Sequence, residues 1–112
     1  GLDNVYNLEL SQLYQIFYQT LQRAKEIPEE EPIREVKVEK DTYSLEDMVL
    51  SLSSRIRRGE SLHFRELLVA IETKSGMVTI FMAVLELLKQ QVMDMRYEDD
   101  DIIFTAALDG AV

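Results

Sequence analysis

A chain of 112 residues with 12 Lys and Arg against 21 Asp and Glu carries a formal charge of −9, so it can hold a phosphate backbone well only through a concentrated basic patch. Its 46% hydrophobic and 29% charged residues are those of one folded globular domain rather than of a disordered chain. With no Cys and one His, disulfides, thiolate metal sites, iron–sulfur clusters and cysteine nucleophiles are excluded, and no cofactor is expected.

Over 7–25, Leu10, Leu13, Tyr14, Phe17, Leu21 and Ala24 recur at spacings of three and four, which lines them up on one side of an amphipathic helix. Glu9, Gln12, Gln15, Gln19 and Gln22 form its polar side. The segment 27–42 holds Pro28, Pro32 and three consecutive Glu, the composition of a solvated acidic linker, and its Val/charged alternation at 34–39 can add an edge strand. The chain therefore divides into a helix over 1–26, a linker over 27–42 and a domain over 43–112.

Ser44 is placed as an N-cap, with Tyr43 and Met48 as a hydrophobic staple and Glu46 and Asp47 at the positive end of a second helix. That helix runs until Gly59, and Arg55, Arg57 and Arg58 suit the negative end of its dipole. A brief third helix is expected over 62–71, carried by Phe64, Leu67, Leu68 and Ile71, and a fourth over about 76–90 behind the caps Thr73 and Ser75. After Gln91 the apolar period changes to two, and the runs 92–97 and 101–108 flank Glu98-Asp99-Asp100 as a hairpin. Three helices and a closing hairpin, with a short strand added, give an α+β, mainly helical winged-helix domain preceded by an amphipathic helix and linker.

The fourth helix is more apolar than one buried face needs. With Phe81 at the origin, Met77, Val84, Leu85 and Leu88 form the core stripe, Ile80 and Leu87 one flank, and Val78 and Met82 the other. Together they cover about 220° where a surface helix needs little more than 100°. The hairpin and first helix can cover these flanks internally, or part of the helix, or the hairpin beside it, is a protein interface left open. In a DNA-reading winged helix this element carries Arg, Lys, Asn or Gln into the major groove; here it offers Lys89 and two glutamines at its end. The hairpin tip, Glu98 to Asp101, repels phosphate and lacks the ligand spacing of a calcium loop.

The stretch 74–89, Lys-Ser-Gly-Met-Val-Thr-Ile-Phe-Met-Ala-Val-Leu-Glu-Leu-Leu-Lys, resembles the Phe-Leu-Ala-Leu-Leu-Glu-Leu helix in the C-terminal domain of the segregation and condensation protein A family, the bacterial kleisins. Ser44-Leu45-Glu46-Asp47 is similar to that family's helix start, and Leu62-His63-Phe64-Arg65-Glu66-Leu67 to its Leu-Ser-Phe-Glu-Glu-Leu segment. The likeness covers 43–108 well and 3–42 loosely. It departs from the family at Arg96, at Asp99-Asp100-Asp101-Ile102, and at His63, which stands where a capping Ser is common. His63 is read as a substitute cap or a surface residue.

The resemblance implies a non-enzymatic subunit of the chromosome-condensing SMC complex, cytoplasmic and nucleoid-associated, whose C-terminal winged helix docks on an SMC ATPase head. It implies ScpB as partner of the middle segment, to which the helix at 7–25 is nearest. The residues expected to meet the head are Ile80, Leu87, Met93, Met95, Ile102 and Phe104. Leu10, Leu13, Phe17 and Leu21 are expected to meet ScpB or a second copy. No catalytic constellation, phosphate loop or metal-ligand spacing is present, no apolar run reaches the about 20 residues of a membrane span, and the first residues show no secretory signal. The competing reading is a winged-helix transcriptional regulator, which requires base-reading cations on 76–90 and a basic wing.

Overall fold

The computed structural model describes residues 2–24 and 43–108; the expected linker and its strand at 34–39 fall outside them. In chain order the elements are α1 (Leu2–Arg23), α2 (Leu45–Arg57), β1 (Leu62–His63), α3 (Phe64–Ile71), α4 (Lys74–Lys89), β2 (Met93–Glu98) and β3 (Asp101–Ala106). The fold is α+β and mostly helical, with the helix and strand order of a winged helix after α1.

Local chemistry sets the helix starts. The Ser44 hydroxyl accepts a hydrogen bond from the Asp47 amide at 3.2 Å and opens α2, and the Thr73 hydroxyl accepts one from the Gly76 amide at 3.1 Å and opens α4. Gly76 is needed for a close approach: a Cβ there would collide with the Ile71 side chain and lie 3.2 Å from the Tyr43 ring. At α3 the residue in the cap position, His63, makes no side-chain cap. The cap comes instead from across the sheet, where Asp101 Oδ1 accepts from the Arg65 amide at 3.2 Å. His63 is thus a partly exposed strand residue, its Nδ1 3.7 Å from the Asp101 carboxylate.

The sheet has the order β1-β3-β2, antiparallel throughout. Its third strand is Leu62–His63, which the sequence reading placed at the start of a helix; two residues are too few to show a period of two. Leu62 and Met95 flank Phe104, and Tyr97 lies opposite Ile102. These residues, with Met93, turn one face of the sheet toward the helices, as strand alternation requires. Ile103 points to the other face and is still buried, because His63 and Arg96 stand beside it on the neighbouring strands.

The core sits where the sheet meets α1, α3 and α4. Phe64 meets Phe104 edge-on at 5.8 Å and 84°, and lies 6.5 Å from Phe81. Phe81 in turn stacks on Phe17 of α1, with centroids 4.1 Å apart and planes 8° from parallel. Leu13 and Ile16 are buried in the same cluster, so α1 is packed onto the domain.

Candidate docking surface

Three neighbours close on α4 and account for most of its apolar surplus. α2 packs along one flank, where Ile80 shares a groove with Met48 and Leu52. The sheet lies beneath. α1 covers the Phe81 side: Glu9 lies beside Leu88 and Met93 while Phe17 stacks on Phe81, so α1 runs opposite to α4.

This packing corrects the residues chosen for the SMC head. Ile80, Leu87, Met93, Met95, Ile102 and Phe104 are all buried, and all belong to the hydrophobic core. They support a surface without forming one, because α2 and α1 close over the positions that the sequence leaves open. Leu10, Leu13, Phe17 and Leu21 are corrected in the same way. Leu13 and Phe17 are buried and Leu10 and Leu21 pack against the core, so the apolar stripe of α1, expected to meet ScpB or a second copy, faces the domain itself.

Of the apolar residues that remain outside, which also include Leu8, Leu50, Val69 and Leu108, two sets lie on the facing helices α4 and α1. On α4, Val78, Met82 and Leu85 are 39%, 46% and 38% exposed, and their spacing of four and three residues makes one strip along the helix. Leu85, assigned to the core by periodicity, belongs to this strip. On α1, Tyr14 and Tyr18 are 60% and 52% exposed and one turn apart. The Tyr14 ring lies 6.1 Å from Phe81, which joins the two helices' outer faces. Val78 and Met82 were legible as an uncovered flank; Tyr18 has no sequence signal beyond its place between the apolar stripe and the glutamines.

The charges near this strip are engaged with one another. Glu86 accepts from Gln90 Nε2 at 2.6 Å and lies 3.9 Å from Lys89 Nζ. Two of the three arginines at the end of α2, Arg55 and Arg58, are engaged as well. Arg55 Nε donates to Glu60 at 2.9 Å and Arg58 to the same carboxylate at 3.3 Å and to Ser54 at 2.8 Å, and the Arg55 bond leads in holding the Glu60 carboxyl below its usual range.

The wing is acidic and fastened. Asp99 and Asp100 take φ of 54° and 64°, the paired left-handed conformation of a two-residue hairpin turn, which Asp tolerates better than most residues. Arg65 Nε donates to the Asp100 carbonyl at 2.8 Å, and the Tyr97 hydroxyl donates to the Asp100 carboxylate at 3.0 Å. That bond to a carboxylate keeps the Tyr97 phenol protonated above its ordinary pKa of 10.0. A folded-state pKa raised in this way contributes stability that is complete below pH 10.0 and is lost as pH rises through the higher value. Ultraviolet titration should show one phenol ionising late, and Tyr97→Phe should remove that step; an unchanged titration curve would mean that the bond does not persist in solution.

Among the described residues no group of three His, Cys, Asp or Glu is placed to hold a metal ion, and no helix is long and apolar enough to cross a membrane. The arrangement offers a partner an apolar strip on α4 and, elsewhere on the domain, an acidic hairpin tip.

Comparison with known proteins agrees with the family resemblance. The family model described as "Segregation and condensation protein ScpA" matches residues 4–104. Segregation and condensation protein A of Macrococcus caseolyticus is 32% identical over 97 residues, covering 87% of this chain and 39% of the relative. The protein of the same name from Streptococcus agalactiae is 28% identical over 86 residues, covering 76% and 35%. The chain thus spans well under half the length of either relative. No solved structure matches it. With the family model covering the helix, the sheet and the apolar α4 together, the chain belongs to the segregation and condensation protein ScpA family.

Proposed function

We propose that this chain is the C-terminal part of a non-catalytic kleisin subunit that acts in chromosome segregation and condensation, in the cytoplasm at the nucleoid, by docking its winged-helix-like domain on the ATPase head of an SMC protein. The observation that carries this reading is the surface of α4. Where a DNA-reading helix presents cations, this one presents Val78, Met82 and Leu85, its lysines stand only at its two ends, and Lys89 lies against Glu86. Protein interfaces are depleted of Lys, Glu and Asp at their centres in this way, whereas DNA interfaces are strongly basic. The names of the relatives support the cellular role.

In the same reading 43–112 is the docking domain, 27–42 its linker, and ScpB a partner of the whole protein. The test is calorimetric titration of the chain with a purified SMC ATPase head from the same organism, beside a duplex DNA titration at low salt. Saturable one-to-one binding to the head, with none to DNA, is expected. Binding to DNA without binding to the head would overturn the reading in favour of a transcriptional regulator.

A further inference from the structure

The sequence divides α1 from the docking domain, and the structure rejoins them. The geometry points to a single docking face built by both helices, in which Tyr14 and Tyr18 of α1 meet the same partner surface as Val78, Met82 and Leu85 of α4. The inference rests on the SMC head as partner and adds that α1 is part of the docking unit.

Three observations lead to it. Leu13, Ile16 and Phe17 anchor α1 in the common core, so its outward residues are held in place before any partner arrives. A preordered aromatic surface loses little freedom on binding. Tyr14 abuts Phe81 at 6.1 Å, and Phe81 adjoins Met82 and lies one turn before Leu85 on α4, so the exposed Tyr14 stands at the edge of the α4 strip, with Tyr18 one turn further along α1. Over 8–24 the only charged side chains are Glu9 and Arg23, in a chain where 29% of residues are charged. Exposed Tyr with few charges is the composition of interface centres, where Tyr is a frequent hot spot.

Charge selects the occupant. Nucleic acid is disfavoured because the face has no free cation to offer among the residues named. A second copy would bring another −9 against the first, and like charges of that size oppose association. The surface that fits is an apolar patch on the SMC head rimmed by Lys and Arg, whose charges complement the acidic excess of the whole chain.

The experiment titrates the head with four forms of the full chain: unaltered, Met82→Glu, Tyr18→Ser, and Tyr14→Ser combined with Tyr18→Ser. Circular dichroism checks the fold of each, and Tyr18, which touches none of the core rings, guards against a packing effect at Tyr14. Met82→Glu should abolish measurable binding. The tyrosine pair should weaken it about tenfold or more, with Tyr18→Ser giving part of that loss. If the unaltered chain binds and Met82→Glu does not, while both tyrosine variants bind normally, the composite face is wrong and α4 docks alone. If the unaltered chain does not bind the head, the reading beneath it is wrong as well. A dimer in light scattering that the tyrosine pair returns to monomer would overturn the choice of partner in favour of a second copy.

Discussion

Phe104→Ala should cost about 3–5 kcal/mol, the range for removing a buried aromatic ring. Domains have only about 5–15 kcal/mol in hand, so much of the folded population should be lost at physiological temperature. Phe104 is fully buried on the central strand, with Leu62 and Met95 beside it and the Phe64 ring meeting it edge-on. Removing the ring leaves a cavity at the point where sheet and helices join, which the flexible Met95 side chain can fill only in part. Phe104→Asp should do more, since it adds an unpaired carboxylate to an apolar interior. A urea melt followed by far-ultraviolet circular dichroism measures both. If Phe104→Asp lost head binding with its helical signal and midpoint intact, Phe104 would be an interface residue and the packing described above would be wrong.

The same residue shows what a sequence can and cannot reveal. Periodicity identifies Phe104 as one face of a strand and Ile80 and Leu87 as one flank of a helix. Whether a flank is covered depends on where a distant element lands. α2 covers Ile80 and leaves Val78 and Met82 open, and the pattern within α4 treats both sides alike. The element types were legible because each rests on local chemistry: Ser44 and Thr73 as caps, Gly59 as a stop, the change of period after Gln91. β1 was not, because two residues carry no period and their strand exists only through Phe104 and Ile103. The cap of α3 was also hidden, since it is supplied by Asp101 from far along the chain. At the candidate site, the family and the lost cations of α4 could be read in advance. Which apolar residues remain at the surface could not, and there the structure exchanges core residues for Val78, Met82, Leu85 and the two tyrosines.

Leu13→Ala should test whether α1 belongs to the cooperative unit. Leu13 is fully buried and lies in the same cluster as Phe64 and Phe104. If α1 folds and unfolds with the rest, the substitution should lower global stability by about 2–5 kcal/mol, with a shifted urea midpoint. Hydrogen exchange then separates two pictures that the melt alone confuses. An integral α1 shares the slow exchange of the core, whereas an arm that opens by itself exchanges through a local event of lower free energy. The stacked Phe17 and Phe81 rings and the burial of Ile16 favour shared protection. In Leu13→Ala the amides of α1 and α4 should therefore lose protection together. Faster exchange confined to α1, with the melt unchanged, would make the helix a detachable arm. The tyrosines would then reach the partner only when α1 is docked, and the apparent Kd for the head would rise in Leu13→Ala in inverse proportion to the fraction of time α1 spends docked on the domain.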